Sequence, residues 1–63
     1  MTTKEMKNLA KKIAKLELEA RDADPSRQNQ IETEIMKLCG KVHSIEEMTM
    51  VDDFVQEILS KIF

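Results

Sequence analysis

Cys39 and His43 stand four residues apart, a spacing that on a continuous helix would put a thiol and an imidazole on one face. Such a pair could bridge a zinc ion, or act as nucleophile and base. A closed zinc site needs four ligands, and the rest would have to be Glu46 or Glu47 or come from a second chain. Catalysis needs an oxyanion pocket and a substrate cleft, for which a 63-residue chain with one glycine has little material. The simpler reading makes Cys39 a small apolar residue at the edge of a helical stripe and His43 a linker residue beside a cap. The paired acids Glu46-Glu47 and Asp52-Asp53 are adjacent, so they splay around a helix instead of converging on a substrate. The chain is therefore read as non-enzymatic, with no catalytic residue, metal, cofactor or small-molecule substrate expected.

Charge carries more information than any catalytic pattern. Residues 1 to 16 hold Lys4, Lys7, Lys11, Lys12 and Lys15 against Glu5 alone, a balance of plus four, in a chain whose net charge is −2. Residues 17 to 36 and 43 to 63 each come to minus four. Lysines early in a helix oppose its macrodipole, so helix stability alone does not place them there. They could track phosphates, pair with acids of the third helix or of a second chain, or meet an acidic partner. Against nucleic acid stand the overall negative charge and the absence of Trp and Tyr.

The elements that must position these residues follow from apolar spacing. Met6, Leu9, Ile13, Leu16 and Ala20 fall within an arc of roughly 80°, with Ala10 and Ala14 on its flank and Leu18 off it. Ile31, Ile35, Leu38, Val42 and Ile45 form a second stripe, and Met48, Val51, Val55, Ile58 and Ile62 a third. Thr2 and Glu5 make a capping box for the first helix, and Asp24 before Pro25 caps the second. Gly40 would close the second helix in the left-handed conformation before Ser44 and Glu47 open the third. These signals predict one domain over residues 1–63 with helices at about 3–21, 25–39 and 45–62. The predicted fold is all-α: a small three-helix bundle, built as a helical hairpin plus a C-terminal helix.

The third helix has more apolar surface than one neighbour can cover, because Phe54, Leu59 and Phe63 widen its arc to about 180°. In a monomer the third helix would wedge between the other two; in a dimer, which the small size of the chain favours, two copies would pair through it. The leading expectation is a protein-interaction or adaptor module, able to self-associate as a homodimer, with Leu18, Met36, Met50, Phe54, Leu59 and Phe63 as partner-binding residues. The alternative is a small nucleic-acid- or ribosome-associated regulator working through Lys4, Lys7, Lys11 and Lys15. No segment has the length or apolarity to cross a bilayer, and with one cysteine and no leader pattern a cytoplasmic setting is expected.

Overall fold

The computed structural model describes residues 1–62, leaving Phe63, one of the expected partner-binding residues, outside the described residues. It is an all-α three-helix bundle: α1 spans Thr3–Arg21, α2 Pro25–Cys39 and α3 Ile45–Ile62.

Each helix begins where a side chain can satisfy its free backbone N–H groups. The Glu5 amide donates to Thr2 Oγ1 at 3.1 Å and the Thr2 amide donates back to Glu5 Oε1 at 3.2 Å, a complete capping box. Those bonds from Thr2, backbone first and hydroxyl second, hold the Glu5 carboxyl below its usual pKa. At α2 the Arg27 amide donates to Asp24 Oδ1 at 2.8 Å, with Pro25 in the first turn. At α3 the Glu47 amide donates to Ser44 Oγ at 3.1 Å. The Glu47 carboxylate also takes the Met1 α-ammonium at 2.8 Å, and this hydrogen bond lowers its pKa while raising that of the amine.

The α1–α2 turn is closed by two side chains of α2. Gln28 donates to the carbonyls of Ala20 and Ala23, satisfying the frayed end of α1, and Arg27 grips both oxygens of Glu19 at 3.0 and 3.1 Å. With only three residues between them, the two helices lie antiparallel.

Gly40 departs from expectation. It is right-handed, with φ −64° and ψ −15°, and no residue of known conformation in the described chain has positive φ. The helix unwinds through successive short turns instead: the Lys41 amide donates to the Leu38 carbonyl and Val42 to Cys39. These bonds occupy the last carbonyls of α2, so no left-handed closure is needed.

The core also differs from the monomer alternative, in which α3 wedges between its neighbours. Here α1 lies in the middle, packed against both α2 and α3, while α2 and α3 scarcely meet. The Met1–Glu47 pair and the placement of Lys7 over Phe54 set α1 and α3 side by side with their starts level, so they run parallel. The main cluster joins Met6, Leu9, Ala10, Ile13 and Ala14 of α1 to Val51 and Val55 of α3. Ala10 and Ala14 are fully buried, and their small side chains let the α3 backbone come close. Ile31 is the one residue of α2 that is fully buried. With α2 and α3 spread to either side of α1, the molecule is flattened, 34 × 25 × 15 Å.

Candidate interaction face

Of the expected partner-binding residues, the described five do not come together. Leu18 is half-buried on α1, and Met36 stands alone on the outer side of α2, 74% exposed. Phe54 and Leu59 are both half-buried against the core cluster, but five residues of helix separate them by about 140°, with Val51 and Val55 between. They flank the seam on opposite sides and cannot form one surface. Met50, 41% exposed, neighbours Phe54 alone of the set on the helical wheel. The remaining exposed apolar side chains, Met1, Ile45 and Ile62, are spread over the helix ends, an ordinary scatter for a soluble surface.

The lysines do come together. Lys4, Lys7, Lys11 and Lys15 recur at three- and four-residue steps, occupying about 80° of α1 on the side turned away from Met6, Leu9 and Ile13. Between α1 and α3 a shallow cleft of about 180 Å³ runs past Lys7, Lys11 and Lys61, with Phe54 and Ile58 beneath. Lys7 Nζ is 5.6 Å from the centre of the Phe54 ring, a cation–π contact that covers the aromatic face. Between α1 and α2 a larger groove of about 480 Å³ has Leu16 and Leu38 as its apolar floor, with Lys12 and Lys15 on one bank and Lys37 and Lys41 on the other.

The two hollows and the α1 ridge between them thus gather all eight lysines of the chain, accompanied by Glu19, Glu34 and Glu57. That face carries plus five; a net charge of −2 leaves minus seven for the rest of the molecule. Complementarity inside the bundle does not consume this charge. Lys61 pairs with Glu57 of its own helix at 3.5 Å, but Lys4, Lys7, Lys11, Lys12, Lys15, Lys37 and Lys41 make no ion pair among the described residues. Reading α1 alone shows its five lysines; Lys37, Lys41 and Lys61 join them only once α2 and α3 are packed.

Cys39 and His43 do not share a helical face, because α2 ends at Cys39 and His43 lies in the linker. Among the described residues no three His, Cys, Asp or Glu side chains are grouped to hold a metal ion. No described helix is long and apolar enough to cross a membrane. Comparison with family models, curated proteins and solved structures gives no match.

Proposed function

We propose that the chain is a small, non-enzymatic protein-interaction module whose docking surface is the lysine-bearing face of α1 and its two flanking hollows, and whose partner is an acidic protein. The observation that carries this reading is the segregation of charge: seven lysines without ion pairs among the described residues share one face of a molecule that is acidic overall. Unpaired like charges that crowd together repel one another, and an anionic partner relieves that repulsion while choosing the orientation of docking. The single cysteine, Cys39, fits a reducing cytoplasmic setting.

Nucleic acid is the second reading, since Lys4, Lys7, Lys11 and Lys15 form the same ridge. Three features favour protein. The hollows have apolar floors that phosphate cannot use, the one aromatic ring of the face lies beneath Lys7, and no arginine lines either hollow. Titration of a labelled acidic helical peptide, polyuridylate and a DNA duplex at two salt concentrations separates the readings. The peptide is expected to bind more tightly than either polymer at physiological salt. Tighter polymer binding with a steep salt dependence, abolished by reversing Lys7 and Lys15 to Glu, establishes the nucleic-acid reading instead. Sedimentation over a concentration series tests the third occupant, a second copy presenting its own acids.

A further inference from the structure

The two hollows beside α1 are unequal, and the larger one is the more strongly lined by lysine. α2 runs antiparallel to α1 from the turn that Arg27 and Glu19 clamp, so Glu34, nine residues into α2, lies level with Lys12, nine residues before the end of α1, and Glu19 and Lys41 mark the two ends of the α1–α2 groove. From Lys12 to Glu19 is seven residues of helix, about 10 Å, or two turns. The volume of about 480 Å³ lies within the range of formed binding pockets. A groove of this length with leucines at its base and cations on both banks matches a helix with an apolar stripe bordered by acids.

We propose that this groove seats an acidic amphipathic helix of a partner protein; this rests on the acidic-partner reading above and deepens it. Two apolar side chains about two turns apart lie on Leu16 and Leu38, and carboxylates to either side meet Lys12 and Lys15 on one bank and Lys37 and Lys41 on the other. Glu19 is already held by Arg27, so the four lysines set the charge that the groove presents. Nucleic acid has no use for the leucine floor.

The probe is a synthetic helical peptide of about four turns with a leucine stripe and glutamates bordering it. Titrated into isotope-labelled full-length protein, it is expected to shift the amides of Leu16, Lys37 and Leu38. Reversing Lys15 and Lys37 to Glu weakens binding by about tenfold, while reversing Lys7 and Lys11 has a smaller effect. Circular dichroism checks that both exposed double variants remain helical. Shifts confined to Lys7, Lys11 and Phe54 overturn the groove assignment and leave the lysine-face module standing. A peptide that fails to bind while polyuridylate binds overturns the acidic-partner reading itself, and a peptide stripped of its leucines that binds equally well removes any role for the groove floor.

Discussion

Gly40 separates what a residue type suggests from what its surroundings require. A glycine just past a helix suggests a left-handed cap, yet here it is right-handed, and a Cβ placed on it would meet the Lys37 and Met36 carbonyls at 3.3 and 3.5 Å. Those oxygens lie one turn back along the same helical path, the ordinary surroundings of a helical side chain. Gly40→Ala is therefore expected to stabilise the protein by about 0.5–1 kcal/mol in chemical denaturation, whereas a left-handed glycine would give the opposite sign. The caps are legible because each needs only two residues at a fixed spacing: Thr2 with Glu5, Asp24 with Pro25, Ser44 with Glu47. Asp24→Ala should cost about 1 kcal/mol. Glu5 and Glu47 have lowered pKa values in the folded chain, so the stability they contribute is present above the ordinary glutamate range and is lost as pH falls through it. A melting series from neutral pH to about pH 3 is expected to show a falling midpoint, and Thr2→Ala, which keeps the backbone N–H, to remove only the hydroxyl's smaller share of the part that belongs to Glu5.

At the scale of the element, wheels drawn from the sequence give the buried stripe of each helix but not its partner. Met6, Leu9 and Ile13 were readable as core, whereas the central place of α1 was not, because its two alanines look like a mere flank until α3 rests on them. Phe54 and Leu59 suggest a single apolar surface because both are large and off the main stripe; their opposite displacement around α3 divides them. Ala14→Leu is expected to destabilise by about 1–3 kcal/mol through overpacking at the α1–α3 contact. Ile31→Ala should cost about 2–5 kcal/mol, since no other side chain of α2 is fully buried, while Met36→Ala on the same helix should fall within about 0.5 kcal/mol of zero. Thermal or urea unfolding of the three variants ranks them directly.

For the whole molecule, the separation of charge matters more than its total. The five lysines of α1 are visible as a cluster, but their purpose is open while pairing with the acids of α3 remains available; in the structure Glu47 takes the Met1 ammonium and Glu57 its own Lys61, and no acid of α3 pairs with a lysine of α1. Electrostatic attraction from a face of plus five decays within a Debye length, about 8 Å at physiological ionic strength. Association of any acidic probe with this face should therefore slow as salt rises, while thermal stability changes little, a contrast that stopped-flow binding and melting curves at two salt concentrations can check.

The seating of α3 against α1 also dictates when the protein can first hold its shape. Val51 and Val55 are contributed more than thirty residues after the alanines they cover, so a nascent chain emerging from the ribosome has its opening hairpin long before it has anything to shut the principal interior. A chain terminated after residue 43 should consequently stay unstructured by amide exchange, and production of this protein should be intolerant of early termination in a way that its well-capped first two helices would not suggest.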